Sequence, residues 1–350
     1  KSMNYPLIIT GAGASYDLLT RSEFPHTDID LDYWVPPLTN QLFKPQFESI
    51  INKYQEIDDL TSYIRAKLRT NNSNNTFETI LTKQFSESTL KNSDFYKSFM
   101  SLLFYLSDLF NTITQKYYRQ HNNYKALKRI IEQTSKKAIF VNFNYDLLLE
   151  KSIGKDQVEY IDDYIKEPFP IIKIHGAFNW YWARVVDAWG ENKKTSYELS
   201  LNVAQGLLSP ETKKERWELL INKKLTNPRQ LSSHGINSIN AYSYHPAIAL
   251  PIVNKNNFVC PTKHVDYFKS QLRQVDRIII VGWKAADEFI RNLLTIELKM
   301  RSIPIAFIGK ENMNNIVESL DLEIQENITL KNDKGFSNFI SSDEAEKFLS

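Results

Sequence analysis

Cysteine is nearly absent from this chain, which has one residue of that type, Cys260, among 350. A single cysteine excludes a disulfide framework and any zinc module built on four cysteines. No apolar run approaches the roughly 18 residues that a membrane span needs, and the N-terminus shows no signal-peptide pattern. These absences predict a soluble protein of the cytoplasm.

An excess of either charge is also lacking, since 43 Lys and Arg residues stand against 41 Asp and Glu residues, for a net charge of +2. A dedicated nucleic-acid-binding protein usually has a clear basic excess, so this balance argues against that class. A chain of this length buries about three quarters of its unfolded surface, and it therefore needs no disulfide or metal to fold.

Glycine is missing between Gly13 and Gly154, and proline is missing between Pro45 and Pro168. Because both residue types break helices, their absence over about a hundred residues predicts long helices with few tight turns. We expect this helical block to be an insertion that follows the first strand and helix of the fold. The expected helices cover residues 39–68, 77–90 and 94–134.

Outside the helical block, short apolar runs have the pattern of buried strands. They do not alternate polar and apolar residues, which is typical of strands that are covered on both faces. Several are followed by helical patterns, notably at 146–151 and 287–300. The order predicts an α/β fold, a Rossmann-like parallel sheet with helices on both faces. The expected strands are 6–9, 138–141, 171–174, 277–281 and 304–308.

Small or polar residues come directly after each expected strand. In open α/β sheets, ligands bind outside the carboxyl ends of the strands, where the connecting loops converge. The sequence therefore predicts a single crevice lined from several strand ends. Its candidate residues are Gly11, Ala12, Gly13 and Ser15 after the first strand, Asn142, Asn144 and Asp146 after the second, His175 and Gly176 after the third, Gly282, Trp283, Lys284 and Asp287 after the fourth, and Gly309 after the fifth.

The glycine loop, residues 11–15, has the composition of a phosphate site. Glycine lets the backbone approach a ligand closely, and the start of the following helix offers unpaired N–H groups and a positive dipole end. Ser15 either caps that helix or donates to a phosphate oxygen. The full dinucleotide fingerprint has a third glycine where this chain has Tyr16, so an ordinary Rossmann dehydrogenase is a poor match. A tight turn without a ligand is the alternative.

Taken in order, these motifs resemble the sirtuins and their bacterial NAD-cleaving relatives. The resemblance covers roughly 1–20, 136–180 and 245–310, which is under half of the chain. The matching residues are Gly11-Ala12-Gly13-Ala14-Ser15, Asn144-Tyr145-Asp146, His175-Gly176, and Val281-Gly282-Trp283 with Asp287.

Two features depart from the protein deacylases of this family. Those enzymes carry a four-cysteine zinc module, and they have a Gly-Ile-Pro-Asp-Phe-Arg segment where this chain has YDLLTR at 16–21. The zinc-less pattern with a helical insertion resembles the domains that hydrolyse NAD+ in bacterial antiviral defence. By this resemblance the chain is a single sirtuin-like domain. Its expected parts are a core from 1–38, 136–180 and 245–310, a helical insertion at 39–135, a variable segment at 181–244 and a C-terminal extension at 311–350.

The resemblance implies an NAD+ glycohydrolase, which takes NAD+ as its substrate without a metal and cleaves the nicotinamide–ribose bond to give nicotinamide and ADP-ribose. His175 would contact ribose hydroxyls or act as the general base. Asn144 would orient ribose hydroxyls or the attacking water, and Asp146 would fix the nicotinamide end or hold the other two. The expected NAD-binding residues are Gly11, Ala12, Gly13 and Ser15 for the pyrophosphate, Gly282, and Asp287 for the adenosine ribose.

Each of these roles has a structural alternative. A histidine before a glycine, as at His175, is often a hydrogen-bonded turn residue, and Asn144 and Asp146 lie where helix caps are expected. Asp287 could equally cap its helix. Other functions stay open as well: a sensor that binds NAD+ or ADP-ribose and signals to a partner, an ADP-ribosyl or deacyl transferase, or a scaffold assembled through its long helices.

An unrestrained NAD+ hydrolase in the bacterial cytoplasm would be toxic to its host cell. We therefore expect an anti-phage effector that stays inactive until assembly or a trigger activates it. The helices within 39–134 are the expected surface for a homo-oligomer. A regulatory protein or a phage-derived trigger is the expected partner.

Two further segments have less specific patterns. The charged stretch 213–229 is expected to be the solvated face of a helix rather than a nucleic-acid site. A group of aromatic residues is expected to pack in the core or in an interface, with a nicotinamide pocket as the alternative. These residues are Phe178, Trp180, Tyr181, Trp182 and Trp189.

Overall fold

The computed structural model describes residues 5–20, 29–70, 75–87, 93–187, 218–221, 240–250, 259–310 and 312–350. Its strands, in chain order, are β1 (Tyr5–Thr10), β2 (Ile139–Asn142), β3 (Ile171–Lys173), β4 (Gly176–Asp187), β5 (Glu218–Ile221), β6 (Asn240–Ile248), β7 (Val275–Val281), β8 (Ile305–Ile308) and β9 (Ile328–Asn332). Six of them form one sheet in the order β3-β2-β1-β7-β8-β9, and every neighbouring pair in it is parallel.

The five expected strands all belong to this sheet, and their observed ends differ from the expected ones by two residues or fewer. The sixth strand, β9, lies at the edge of the sheet. Its burial alternates along the strand, and polar residues such as Lys331 interrupt the apolar run. A strand of this kind lacks the continuous apolar pattern that predicts the other five.

Alternate side chains of the strands in the parallel sheet enter two separate apolar cores. In β1, Leu7 and Ile9 belong to one core and Ile8 to the other. The first core includes residues of the helices that follow β6, and the second includes residues of the helices between β1 and β2. Helices therefore cover both faces of the parallel sheet. The predicted fold class is confirmed, and double-sided burial accounts for the uninterrupted apolar strands.

The structure contains α-helices and 3-10 helices. No helix in the described ranges is long and apolar enough to cross a membrane. The α-helices are Ala12–Tyr16, Ile29–Tyr33, Glu48–Ile51, Asp58–Leu68, Phe77–Glu87, Ser93–Tyr117, Asn123–Thr134, Leu148–Ile153, Thr262–Gln271, Glu288–Met300, Met313–Glu318, Leu322–Glu326, Phe336–Ser341 and Glu344–Leu349. The 3-10 helices are Thr39–Gln41, Pro45–Phe47, Gln55–Ile57, Ile161–Ile165 and Leu272–Gln274.

The single helix expected at 39–68 is wrong, because the chain is interrupted twice before the helix Asp58–Leu68 begins. Pro45 starts a new 3-10 turn, since its ring cannot continue a preceding helix. A second interruption lies at Tyr54, whose backbone is non-helical (φ −127°, ψ 69°) and whose ring is buried in the core. Here core packing overrides the local helical pattern.

The helix expected at 94–134 is two helices, Ser93–Tyr117 and Asn123–Thr134. Asn122 caps the second one, because its side chain accepts a hydrogen bond from the N–H of Lys125 at 2.9 Å. Asparagine is a preferred N-cap residue, so the sequence does carry a signal for this break. The helix expected at 77–90 is observed from Phe77 to Glu87, and residues 88–90 lie outside the described part.

A second sheet has three antiparallel strands in the order β5-β4-β6, and the sequence pattern does not predict it. Trp180 and Tyr181 of β4 are buried, which confirms core packing for these two aromatic residues, while Trp189 lies outside the described residues. The helix expected at 213–229 is wrong at β5, which is a strand, and the rest of that stretch is not described.

The strand order reverses between β1 and β7, which makes this position the switch point of the sheet. The loops after the two strands contact each other there. The N–H of Gly11 donates to the carbonyl of Val281 at 3.0 Å, and the N–H of Gly13 donates to the carbonyl of Gly282, also at 3.0 Å. A Cβ on Gly282 would lie 2.3 Å from the nitrogen of Ala14, and its φ is +59°. Glycine is therefore required on steric and conformational grounds.

Replacing Gly282 by alanine is expected to destabilise the fold by about 2 kcal/mol or more, because the new Cβ clashes with backbone and the left-handed φ is strained. Gly309→Ala is the matched control at the end of β8, since the nearest atom to its Cβ would be Met313 Cγ at 3.6 Å. That change should cost less than about 0.5 kcal/mol. Urea unfolding followed by circular dichroism compares the two, and equal midpoints would contradict the expectation.

Candidate functional site

A row of polar side chains lies across three neighbouring strands at their carboxyl ends. Thr10 of β1 is in register with Asn142 of β2, and Asn142 is in register with Lys173 of β3. All three are fully buried. The hydroxyl of Thr10 donates to Asn142 Oδ1 at 3.1 Å. The apolar strands thus end in a buried polar layer that supports the residues of the crevice.

Asn144 joins the end of β2 to the glycine loop. Its Nδ2 donates to the carbonyl of Gly11 at 3.0 Å and to Ser15 Oγ at 2.9 Å. Its backbone N–H donates to Asn142 Oδ1 at 2.9 Å. Within the described part of the chain, Asn144 Oδ1 accepts no hydrogen bond. The structure therefore brings four sequence-predicted residues together, namely Gly11, Ser15, Asn142 and Asn144.

Tyr124 also reaches this cluster, from the first turn of the helix Asn123–Thr134. Its phenol oxygen lies 3.2 Å from Ser15 Oγ and 3.4 Å from Asn144 Nδ2. Complete burial raises the pKa of this phenol well above its ordinary value, so the hydroxyl stays protonated. The sequence does not predict this contact, because Tyr124 lies in the helical block, which matches no motif.

The glycine loop uses its own amide groups within the fold. The N–H groups of Gly11 and Gly13 donate to carbonyls of β7 and its loop, and that of Ala14 donates to the Gly11 carbonyl at 2.9 Å. This geometry matches the ligand-free alternative of a tight turn. Ala12 begins the helix Ala12–Tyr16, where an N–H group has no partner within the helix. A pyrophosphate contact at this loop stays a prediction, and Ala12 is the residue best placed for it.

His175 follows β3 and faces a carboxylate from the other half of the sheet. Its Nε2 lies 3.7 Å from Asp287 Oδ2, and the two side chains are 29% and 12% exposed. Asp287 Oδ1 accepts a hydrogen bond from the N–H of Ile290 at 2.9 Å and so caps the helix Glu288–Met300. The capping alternative for Asp287 is therefore confirmed, and the same side chain reaches the candidate histidine.

Aromatic rings line the space beside the imidazole. Phe143 packs edge-on against His175 with ring centroids 5.2 Å apart, and it stacks on Trp283 at 5.1 Å with an interplanar angle of 13°. Tyr145 lies 6.5 Å from His175 and donates its hydroxyl to the Ala249 carbonyl at 2.6 Å. These rings form an apolar wall next to the polar groups. Phe143 and Tyr145 alternate with the predicted polar residues at the end of β2, which is the signal that could have found them.

Asp146 occupies the layer beneath the crevice. Its Oδ1 accepts a hydrogen bond from the N–H of Leu148 at 3.0 Å, a local turn contact. The N-cap of Leu148–Ile153 is Leu147, so Asp146 is not the capping residue that its position suggests. Burial raises the pKa of its carboxyl, while Lys173 and the hydrogen bonds from Leu148 and Ser15 oppose that rise. The position suits a supporting role for Asp146 better than contact with a ligand.

A buried ion pair anchors the same turn, and the sequence does not predict it. Lys173 Nζ donates to Glu150 Oε1 at 2.6 Å and to the carbonyl of Asp146 at 2.9 Å. Both charged side chains are fully buried. Burial raises the pKa of the Glu150 carboxyl, and Lys173 opposes that rise. A lysine at the end of an apolar strand was the available signal.

No group of three or more His, Cys, Asp and Glu side chains that could hold a metal ion occurs among the described residues. The structure instead collects the predicted residues into two adjoining groups. The first joins the glycine loop to Gly282 and Asn144, and the second pairs His175 with Asp287. The contact between Phe143 and both Trp283 and His175 links the strand ends that carry them.

Among the comparisons with known proteins, only the one with solved structures finds a similarity. The sequence matches no protein-family model and no curated protein. A Sir2 homologue in complex with NAD is 12% identical over 99% of this chain and 91% of its own, with a TM-score of 0.45. A mutant Sir2 homologue with ADP-ribose is 11% identical over 99% and 91%, with a TM-score of 0.44.

Breaking the buried ion pair is expected to be costly. Lys173→Met should lower the free energy of unfolding by about 3 to 5 kcal/mol, because it leaves the Glu150 carboxylate buried without a counter-charge. The double variant Lys173→Met, Glu150→Leu removes both charges and should recover most of that loss. Urea unfolding of Lys173→Met, of Glu150→Leu and of the double variant gives the coupling energy. A cost below about 1 kcal/mol for Lys173→Met would show that the pair is not important for stability.

Proposed function

We propose that this chain is an NAD+ glycohydrolase that releases nicotinamide and ADP-ribose. The observation that carries the proposal is the position of His175, Asn144 and the glycine loop around one switch point of a doubly wound sheet. Nucleotides bind at such points in this class of fold. The order of the motifs, which resembles that of NAD-cleaving sirtuin relatives, supports NAD+ as the nucleotide.

The reaction breaks the bond between the nicotinamide nitrogen and C1′ of the ribose. The bonding electron pair leaves with nicotinamide, which departs as a neutral ring, and C1′ gains oxocarbenium character. A water oxygen then bonds to C1′ and its proton is released. We assign the acceptance of that proton to His175, whose partly exposed imidazole contacts both the crevice and solvent.

Asn144 is assigned the orientation of the ribose or of the attacking water. Its amide hydrogens are held by Gly11 and Ser15, so the side chain has a fixed direction. The remaining Oδ1 is an acceptor, which suits a ribose hydroxyl or a water molecule. In this arrangement Ser15 supports Asn144, and Ala12 at the start of the helix Ala12–Tyr16 is left to receive the pyrophosphate.

The stacked rings of Phe143 and Trp283 are assigned to the nicotinamide end of the substrate. They provide an apolar surface beside His175, where an aromatic leaving group can pack. Such a surface also keeps bulk water away from the ribose carbon. Asp146 and Lys173 hold the turn that carries Asn144 from below.

We further propose that the hydrolase is an effector of bacterial antiviral defence, which depletes cytoplasmic NAD+ when an assembly step or a phage-derived trigger activates it. The helical block is the proposed surface for homo-oligomer formation or for a regulatory protein. Tyr124 supports this link, because it connects a helix of the block to Ser15 and Asn144. Movement of that helix would act directly on the proposed catalytic amide.

Purified protein incubated with NAD+ should release nicotinamide and ADP-ribose in equal amounts, as measured by chromatography. His175→Ala and Asn144→Ala should each lower the initial rate about a hundredfold or more, since they remove proton transfer or substrate orientation. His121→Ala is the matched control, because His121 is exposed in the turn before Asn123–Thr134. It should retain the wild-type rate.

The outcomes separate the candidate functions. Equal release by wild type and both site variants would contradict the assignment of the residues. Binding of NAD+ in calorimetry without release, even after assembly, would favour a sensor. Transfer of ADP-ribose to an added acceptor, or loss of an acyl group from a peptide, would favour a transferase.

If assembly controls the enzyme, the rate per protomer should rise with protein concentration as oligomers form, because activation then requires contacts between copies. Light scattering and NAD+ cleavage measured on the same dilution series test this directly. A protein that stays monomeric at every concentration while fully active would exclude control by self-assembly.

A further inference from the structure

A carboxylate and an imidazole from opposite halves of the sheet meet in the crevice. Asp287 follows β7 and His175 follows β3, and their Oδ2 and Nε2 atoms are 3.7 Å apart. A carboxylate at this distance attracts the protonated imidazole. The separation is longer than a direct hydrogen bond, so the interaction is chiefly one between charges.

The carboxylate is held in a fixed orientation. Asp287 Oδ1 is engaged by the N–H of Ile290, so Oδ2 is the oxygen that faces His175. The capped helix is itself anchored, because Ile290, Leu294 and Leu298 are buried in the apolar core. Asp287 is 12% exposed and therefore differs from a mobile surface acid.

The imidazole is confined from other directions by rings. Phe143 and Tyr145 approach it from the turn after β2. Burial raises the pKa of the Tyr145 phenol, so this ring is a neutral neighbour of the imidazole, whereas Asp287 brings a carboxyl group to it. The two rings restrict where the imidazole can lie. The carboxylate stabilises the protonated imidazole relative to the neutral one.

We propose that Asp287 is a positioning residue for His175, which orients the imidazole and stabilises the imidazolium formed when His175 takes the proton of the attacking water. This proposal rests on the proposed function. In the proton transfer, an O–H bond of water breaks, its oxygen bonds to C1′ and its proton passes to the imidazole. Asp287 then acts at the nicotinamide end of the site and does not bind the adenosine ribose, which is the role that the sequence resemblance implies.

Asp287→Asn is the decisive variant, because asparagine is an equally good N-cap and keeps the helix while removing the charge. It should lower kcat for NAD+ about tenfold or more while KM changes less than about twofold. Asp287→Ser keeps the cap with a shorter side chain and serves if the first variant fails to fold. The melting temperature of either variant should stay close to that of wild type.

Nicotinamide mononucleotide separates the two roles, because it has the nicotinamide and its ribose but no adenosine. A positioning role predicts that Asp287→Asn slows cleavage of NAD+ and of nicotinamide mononucleotide by the same factor. A loss confined to NAD+, with a raised KM, would overturn the proposal in favour of an adenosine contact. Unchanged cleavage of both compounds would also overturn it.

A titration of the His175 imidazole by NMR tests the pair even if wild type cleaves neither compound, in which case the proposed function fails separately. The His175→Gln variant identifies the resonance. Loss of the Asp287 charge should lower the midpoint of that titration by about half a pH unit or more, because the carboxylate favours the protonated ring. An unchanged midpoint would show that the two groups do not interact.

Discussion

The close approach of two backbone segments at the switch point sets the geometry of the crevice. A Cβ on Gly11 would lie 2.5 Å from the carbonyl oxygen of Gly282, and one on Gly13 would lie 2.8 Å from the Gly282 Cα. Since no side chain fits between them, the loop after β1 is fixed against the loop after β7. The Gly11 carbonyl and the Ser15 hydroxyl then become fixed partners for the Asn144 amide. The direction of this amide thus depends on three glycines that carry no functional group of their own.

The layer beneath the crevice shows why an apolar sheet can end in polar residues. At the end of a strand the ladder of backbone hydrogen bonds stops, so the turn after it needs other partners. Lys173 is such a partner, because its Nζ donates to the Asp146 carbonyl. The same Nζ also donates to the Glu150 carboxylate. Burying such charges gains little stability compared with apolar packing. The arrangement holds the turn that carries Asn144 in one position, which an apolar cluster would not do.

The sequence contains enough information to predict the strands and the residues at their ends. Double-sided burial gives each central strand a continuous apolar run, and the parallel order brings every following loop to one edge. The contacts between residues distant in the chain are not readable in this way. Tyr124 meets Ser15 across 109 positions and Lys173 meets Glu150 across 23. Neither pairing has a spacing pattern, because the packing of helices on the sheet decides it.

The ends of the helices are predicted poorly for a related reason, because the length of a helix depends on what it packs against. Tyr54 interrupts the expected helix because its ring enters the core, and no local propensity requires that. The antiparallel sheet of β4, β5 and β6 is missed because a run of aromatic residues is compatible with a strand, a core helix or an interface. Local patterns therefore predict elements covered on both faces better than they predict elements that close over one side.

The attachment of the helical block to the site limits how strongly assembly can control the chemistry. The Asn123 side chain donates to the Asp17 carbonyl at 2.6 Å, and Tyr124 contacts Ser15 and Asn144, so the start of this helix is tied to the glycine loop. A trigger shifts the site only through contacts that differ between two states of the helix. Hydrogen bonds of this kind contribute about 1 kcal/mol each. Two or three of them amount to about 2 to 3 kcal/mol and bias the equilibrium roughly 30- to 150-fold, which is the upper part of the usual range of coupling between sites. Control of larger amplitude would need the helix to leave the crevice altogether, with the loss of its apolar packing as well.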